Sequence, residues 1–359
     1  MREVIDDIAR WLADGETGIA LATVLATWGS APRKAGAKLA FTAGGAAISG
    51  SVSGGCVEGA VIEAGGEVLA DGRPRLLRFG VADETAWSVG LACGGTIEVF
   101  VERLDVAAYE AARRWIEAGT SGALLTAIVG PEEWLGRKAT VERGPVVAGS
   151  LAVALDADIV TQANAARHAQ RITTAQGLEL FIDPIRPSPA LVMVGGAHIA
   201  VALARLARVL GYRTVVIDPR RAFGSAARFP EVDRLVQAWP DKALAEEPLT
   251  ADSAVVTLSH DPKIDDPALR AALSSDAFYI GALGSRKTHA ARRERLAAEG
   301  FSAAQLARIH APIGLDIGAQ TPEEIAVAIL GQVISVQYSV SSGSVGQWVS
   351  GSVGQWVSE

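Results

Sequence analysis

The sequence predicts an α/β protein, an N-terminal α+β domain followed by a doubly wound parallel sheet. Three observations carry that expectation. The 359 residues, 49% hydrophobic and 20% charged, are enough for two separate cores. From residue 190 onward short apolar strands alternate with helices across short loops, the pattern of a parallel sheet covered on both faces. Between the halves, Pro184-Ile185-Arg186-Pro187-Ser188-Pro189 favours extended backbone and reads as a stiff linker. Domains are therefore expected at 1–183 and 190–338, joined by 184–189.

In the first domain Val4, Ile5, Ile8, Trp11 and Leu12 recur at helical spacing and stop at Gly15. Ile19 to Thr27 is a buried strand, Lys38 to Thr42 a second, and Gly44-Gly45 a turn. Val57, Val61, Ala64 and Val68 mark a helix ending near Asp71-Gly72. Arg75 to Phe79 is a strand, and Val81 to Gly90 a polar loop with Trp87. Thr96 to Glu102 puts Ile97, Val99 and Val101 on one face, a half-buried strand. Asp105 caps a helix through Glu117 that Gly119 closes. Strands follow at 124–129, 139–141 and 146–147, then a helix over Asp156 to His168 and a last strand over Leu178 to Ile182.

In the second domain strands are expected at 190–194, 213–217, 235–236, 254–258 and 278–280. Helices are expected at Ile199–Leu210, Pro267–Leu273 and Thr288–Gly300. Thr321-Pro322-Glu323-Glu324 supplies an N-cap, a proline at N1 and a capping-box glutamate ahead of Ile325–Ile334. Beyond it Gly343–Ser350 is repeated identically at 351–358; this duplicated tail, 339–359, takes no part in the functional argument.

Composition excludes some functions. A net charge of −7 argues against a general nucleic-acid binder. Two cysteines build no disulfide framework, and the interval from Cys56 to Cys93 matches no zinc pattern, so no conventional metal-ion site is expected. The N-terminus carries acids where a signal peptide needs bases, and no apolar run approaches a membrane span. A reducing, cytoplasmic setting is expected.

The chemistry concentrates in a few loops. Gly50-Ser51-Val52-Ser53-Gly54-Gly55-Cys56-Val57-Glu58 joins a strand to a helix. Its glycines permit positive φ, so N–H groups of Ser53, Gly54 and Gly55 can converge on an anion. A thiol there should have a lowered pKa and serve as nucleophile or soft ligand; the alternative is a small buried hydrophobe. Cys93-Gly94-Gly95 repeats the thiol–glycine pairing, and Arg33 offers a cation or is a surface turn residue. In the second domain Val194-Gly195-Gly196-Ala197-His198 follows the first strand like a dinucleotide fingerprint. Alanine at 197 stands where backbone should approach a pyrophosphate. Asp218 holds the place of a ribose-binding acid, and Arg220 follows it. Further strand ends carry Ser259-His260-Asp261, Gly284-Ser285-Arg286-Lys287 and Pro312-Ile313-Gly314-Leu315-Asp316-Ile317-Gly318. The Gly284 segment opens a helix with two cations, a phosphate cradle. Arg286, Lys287, Arg292, Arg293 and Arg295 read equally well as a solvated helix face. NAD(P) binding, and with it an oxidoreductase, stays open as an alternative. A cysteine hydrolase needs a base, and the only histidine of the first domain, His168, has no partner motif.

The runs Gly29-Ser30-Ala31-Pro32-Arg33 and Gly50–Glu58, Phe79-Gly80-Val81, Cys93-Gly94-Gly95, Asp218-Pro219-Arg220, His260-Asp261 and Gly284-Ser285-Arg286 resemble the xanthine dehydrogenase accessory factor (XdhC/CoxI) family. So do Pro312–Leu315, with Gly318-Ala319, and Thr321–Ile325. The resemblance implies an XdhC/CoxI-type domain followed by a Rossmann-like one. It implies a maturation factor rather than a catalyst. Such a factor binds the molybdenum cofactor, as molybdopterin or its dinucleotide form, protects it during sulfuration and delivers it to a xanthine or carbon monoxide dehydrogenase-type apoenzyme. A cysteine desulfurase is an implied partner, and a homodimer is expected from the general prevalence of symmetric dimers. On this reading Cys56 and Cys93 handle sulfur or molybdenum. Arg33, Ser53, Gly54, Gly55, Gly195, Gly196, His198, Asp218, Arg220, His260, Gly284, Ser285, Arg286, Gly314 and Gly318 contact the cofactor. The common family loop reads Gly-Ala-Gly-His where this chain has Gly195-Gly196-Ala197-His198.

Overall fold

The computed structural model describes residues 1–28, 33–80, 95–142, 144 and 147–338. The chain divides between Pro187 and Ser188 into two compact units.

Unit 1 opens with α1 (Ile5–Ala13), which buries Ile5, Ile8 and Trp11. The strands β1 (Ile19–Trp28), β2 (Lys38–Thr42), β3 (Ile48–Gly50), β4 (Arg75–Phe79) and β5 (Thr96–Arg103) form an antiparallel sheet in the order β3-β2-β1-β5-β4. Helix α2 (Glu58–Asp71) joins β3 to β4 and ends on Gly72, whose φ of 75° is the left-handed cap that glycine accepts freely. Helix α3 (Val106–Ala118) is capped by Asp105, which accepts from the Ala108 N–H. A second antiparallel sheet follows, with β6 (Gly122–Val129), β7 (Lys138–Glu142), β8 (Val147–Ala148), β9 (Gln170–Thr173) and β10 (Glu179–Ile185) in the order β8-β7-β6-β10-β9. Helix α4 (Ala157–Ala165) lies between β8 and β9.

Three expectations need correction. Strand β5 is buried on both faces, not one, because Phe100 packs with Leu25, Ile128 and Phe181 between the sheets. Helix α4 stops at Ala165 short of His168, since Ala166 turns to extended backbone, and the unread β9 follows. Strand β10 runs on through Pro184 and Ile185, which pair with Ala123 and Gly122, so the extended stretch begins as sheet rather than linker.

The two sheets repeat one plan: helix, three strands, helix, two strands, in matching order. Registers repeat as well. Thr23 faces Lys38 as Thr126 faces Lys138, and Leu21 faces Glu102 as Leu124 faces Asp183. The lysines are exchanged between copies: Lys38 Nζ lies 2.8 Å from Asp183 Oδ2, and Lys138 Nζ lies 2.7 Å from Glu102 Oε1. Such reciprocal contacts are those of an isologous interface, here inside one chain.

Unit 2 contains β11 (Ala190–Val194), α5 (His198–Val209), β12 (Arg213–Ile217), β13 (Arg234–Val236), α6 (Pro240–Glu246) and β14 (Ser253–Thr257). It continues with α7 (Pro262–Leu273), β15 (Tyr279–Ala282), α8 (Arg286–Ala298), α9 (Ala303–Leu306), β16 (Ile309–His310) and α10 (Pro322–Gln337). The strands form a parallel sheet ordered β13-β12-β11-β14-β15-β16, the doubly wound Rossmann arrangement. Val192 and Val255 pack on one face with Ile264 and Leu269, while Met193 and Val256 pack on the other with Leu203 and Ile329. Burial on both faces explains why these strands read as unbroken apolar runs. Helix α7 begins at Pro262, well before the expected Pro267, because Asp261 is its N-cap and Pro262 its N1 residue.

Candidate functional site

In unit 1 the candidate site is the turn from β3 into α2. Gly50 has φ 79°, and a Cβ there would stand 2.2 Å from the Lys38 carbonyl oxygen, so only glycine fits. Ser51 N–H donates to the same oxygen at 2.9 Å, and Val52 is inserted into the core with no exposure. Beyond it Gly54 and Gly55, at φ 84° and 121°, turn the backbone back on itself. The loop N–H groups do converge on an anion, but that anion is Glu58, a residue outside the expected contact set. Its carboxylate accepts from the N–H groups of Val52 (3.2 Å), Ser53 (2.9 Å), Gly54 (3.1 Å) and Gly55 (2.9 Å). The Ser51 hydroxyl donates to it at 2.7 Å, and the Ser53 hydroxyl donates as well. Burial pushes the carboxyl upward, yet the Ser53 and Ser51 hydroxyls and the Ser53 N–H outweigh it and hold its pKa at about 2.

Cys56 follows this nest. It is partly buried against the apolar cluster that includes Val57 and Val61, and it forms no disulfide. Arg33 joins the same assembly through its Nε, which donates to the Ser51 carbonyl at 3.1 Å, and its guanidinium is paired with Glu3. Glu3 in turn accepts from the Lys38 N–H at 2.8 Å. Arg33 therefore braces the loop. Cys93 lies outside the described residues.

In unit 2 the strand ends form the crest. Gly195 has φ 102°, and a Cβ there would lie 2.8 Å from the Ser259 nitrogen, so β11 and β14 end in close backbone contact. The Gly196 N–H, which a dinucleotide site would offer to phosphate, donates at 2.7 Å to Asp218 Oδ2. Asp218 is completely buried and also receives the Arg220 N–H and Nε at 2.9 Å and its Nη2 at 2.8 Å. Burial raises its pKa, but Arg220 and Gly196 more than compensate and hold it below the usual range. Arg220 also covers the Phe223 ring at 4.1 Å. Asp218 and Arg220 thus hold each other.

His260 adopts φ 62°, the one positive value outside glycine among the described residues. Beside it Ser259 Oγ donates to Asp265 Oδ1 at 2.6 Å. Asp265 Oδ2 lies 3.5 Å from Arg292 Nη2, and both side chains are almost fully buried. Arg292 Nη2 donates to the Leu283 carbonyl, while Nε and Nη1 have no partner. Burial dominates both groups, raising Asp265 and lowering Arg292. Arg292 therefore belongs to the crest rather than to a solvated helix face. The neighbouring Gly284 has φ 137°, Ser285 caps α8, and Ser285, Arg286 and Lys287 are exposed at its N-terminus. The two unpartnered nitrogens of Arg292 are fully buried, so it is the exposed cationic start of α8, with Ser285, Arg286 and Lys287, that offers donors suited to a phosphate.

His198 is exposed at the start of α5. Gly314 donates to Gln332 Oε1 at 2.9 Å, the oxygen that also receives the Tyr279 hydroxyl at 2.6 Å. Gly318 has open space around its Cβ position. The structure thus joins Arg33, Ser53, Gly54, Gly55 and Cys56 in one assembly, and Gly195, Gly196, Asp218 and Arg220 in another. Glu58, Asp265 and Arg292 are the additions. Glu58 stood in the same nonapeptide as Cys56; Arg292 was one of several cations on its helix, and nothing in the sequence paired it with Asp265. Among the described residues, no group of three or more His, Cys, Asp or Glu is placed to hold a metal ion, and no helix is long and apolar enough to cross a membrane.

Residues 3–80 match the XdhC and CoxI family, and residues 191–333 match the XdhC Rossmann domain. The chain is 32% identical to a probable xanthine dehydrogenase subunit of Bacillus subtilis, over 92% of this chain and 96% of that protein. It is 29% identical to the molybdenum cofactor insertion chaperone PaoD of Escherichia coli, over 89% of this chain and 84% of that one. A crystal structure described as a xanthine dehydrogenase from Bacillus halodurans superposes with a TM-score of 0.71 at 25% identity, covering 95% of this chain and 97% of that one.

Proposed function

The chain belongs to the XdhC and CoxI family, and on that premise we propose that it is an accessory protein of a molybdenum hydroxylase, with the molybdenum cofactor as its cargo. The observation that carries this reading is the Cys56 loop. It presents an unbridged thiol whose neighbouring peptides are fixed by Glu58 and the two serines. A soft thiolate suits a molybdenum centre with sulfur ligands, and a fixed loop lowers the entropic cost of holding one. We assign Cys56 to that sulfur-facing contact. In unit 2 the exposed start of α8, with Ser285, Arg286 and Lys287, suits the phosphate of molybdopterin or the pyrophosphate of its dinucleotide form.

On the family resemblance we further propose that the protein shields the cofactor during its sulfuration, with a cysteine desulfurase as partner, and passes it to a xanthine or carbon monoxide dehydrogenase-type apoenzyme. Two features weigh against an NAD(P)-dependent oxidoreductase. Asp218 is wholly buried with both oxygens engaged, and the Gly196 N–H is already bonded to it.

The test is cargo retention. Protein purified from a molybdenum-replete host should carry the cofactor by mass spectrometry and metal analysis. Cys56→Ala should lose roughly tenfold in retention, the effect of one contact worth about 1.4 kcal/mol. Equal loading of the variant would remove the thiol from the mechanism. Tight NADH or NADPH binding would favour the oxidoreductase instead.

A further inference from the structure

We infer that Glu58 is a positioning residue for the Cys56 thiol, present for the chemistry of the loop and not for the fold of unit 1. The second copy of the repeated plan is an internal control. Gly149 corresponds to Gly50: its φ is 110°, and a Cβ there would stand 2.4 Å from the Lys138 carbonyl oxygen. The Lys138 oxygen accepts from Leu151 N–H at 2.9 Å, two residues past the glycine, where the Lys38 oxygen accepts from Ser51, one residue past it. Val52 and Leu151 are both fully buried, each anchoring its turn in its own core. The interval from Gly50 to the first residue of α2, Glu58, equals that from Gly149 to the first residue of α4, Ala157.

Past that point the copies part. The second continues Ala152-Val153-Ala154-Leu155-Asp156, and its Asp156 is an ordinary N-cap accepting from Ile159 N–H at 2.9 Å. It has no glycine pair, no thiol and no glutamate folded back over the turn. A strand–turn–helix connection of the same length, with the same strained glycine and a buried anchor, is thus built without a counterpart of Glu58. Glycines, serines and glutamate occur together only where the cysteine is.

The contacts say what Glu58 does there. It accepts from Gly55 N–H, in the peptide just before the one that carries the Cys56 N–H. It also holds the Ser53 hydroxyl, whose oxygen accepts from Val57 N–H at 3.0 Å on the far side of the cysteine. A Cβ built on Gly55 meets nothing within 4 Å, so packing does not restrain that peptide. The carboxylate does. Cys56 is held from both flanks through one side chain.

The test uses the full chain with three variants: Glu58→Gln, Glu58→Asp, and a fourfold change to second-copy residues (Ser53→Ala, Gly54→Val, Gly55→Ala, Glu58→Ala). Thermal unfolding reads the fold, and iodoacetamide alkylation at neutral pH, followed on the Cys56 peptide by mass spectrometry, reads the thiol. All three should fold cooperatively. Alkylation should be roughly threefold faster in Glu58→Gln, which loses the negative charge two residues from the thiol but keeps one accepting oxygen, and up to roughly tenfold faster in the fourfold variant, which loses the restraint on the loop as well. Glu58→Asp, which keeps the charge on a shorter arm, should fall between them and the parent. Unchanged alkylation in Glu58→Gln, or failure of these variants to fold, would overturn the inference. The consequence for cargo rests on the reading above and separates from it cleanly. Faster alkylation with undiminished cofactor retention leaves Glu58 as the positioning residue and removes Cys56 from cargo binding.

Discussion

Each unit has a glycine-bearing loop at a strand end whose N–H groups face a carboxylate, and in both the carboxylate is the chain's own. In unit 2 it is Asp218, fully buried at the end of β12 and gripped by the Arg220 guanidinium through two nitrogens. In unit 1 it is Glu58, only partly buried, on the first turn of α2, and held by four N–H groups and two hydroxyls with no cation among those donors. The first arrangement is a lock between strands. The second is a clamp on a thiol. A run of glycines after a strand carries the same signal in both, and only the residue that fills the nest tells them apart.

The largest effects should come from the residues that make the turns. Gly50→Ala places a Cβ 2.2 Å from the Lys38 carbonyl oxygen and 2.7 Å from Val4 Cγ1, at φ 79°, with backbone on one side unable to yield. It should cost more than about 3 kcal/mol or abolish folding, whereas Gly55→Ala, with open space, should cost only about 1 kcal/mol of backbone strain. Denaturant unfolding of the pair measures the contrast. If both glycines cost the same, the turn and the clamp are not separable.

Asp218→Ala comes next. It strands the buried Gly196 N–H and leaves the Arg220 guanidinium without its carboxylate, which should cost about 2–4 kcal/mol. Urea unfolding reads it. A negligible change would mean that Asp218 is free for a ligand, as the fingerprint alone suggests.

The fold was legible wherever local chemistry decides it. The strands of unit 2 are apolar on both faces, and Asp105 and Thr321 cap the helices they precede, whereas the helix expected from Thr288 starts at Arg286 under a Ser285 cap. It was not legible where a distant partner decides. Glu98 and Glu102 are buried in β5 because Arg78 and Arg171 reach the first and Lys138 the second, from other strands. The repeat in unit 1 stayed hidden because the copies share registers and turns rather than residues. Of the site, the Cys56 loop could be chosen from its composition. The direction of the Glu58 side chain could not, since the same nonapeptide serves an external anion equally well on paper.

The smallest effect is also the one that isolates the clamp. Glu58 has a folded pKa of about 2 against 4.5 for the free side chain. A depressed carboxyl contributes stability that is complete above the unfolded value and is lost as pH falls from about 4.5 toward 2. The carboxylate is partly open to water, so the shift is discounted for screening to about 1–2 kcal/mol. The parent should therefore exceed Glu58→Gln by that amount at about pH 6, and the gap should close by about pH 2. Asp218 shifts in the same direction but sits beyond the reach of solvent, so its neutralisation should accompany cooperative acid unfolding rather than precede it. A gap between parent and Glu58→Gln that persists unchanged into acid would mean that shape, and not the carboxylate's charge, holds the loop. The two loops would then work by one principle.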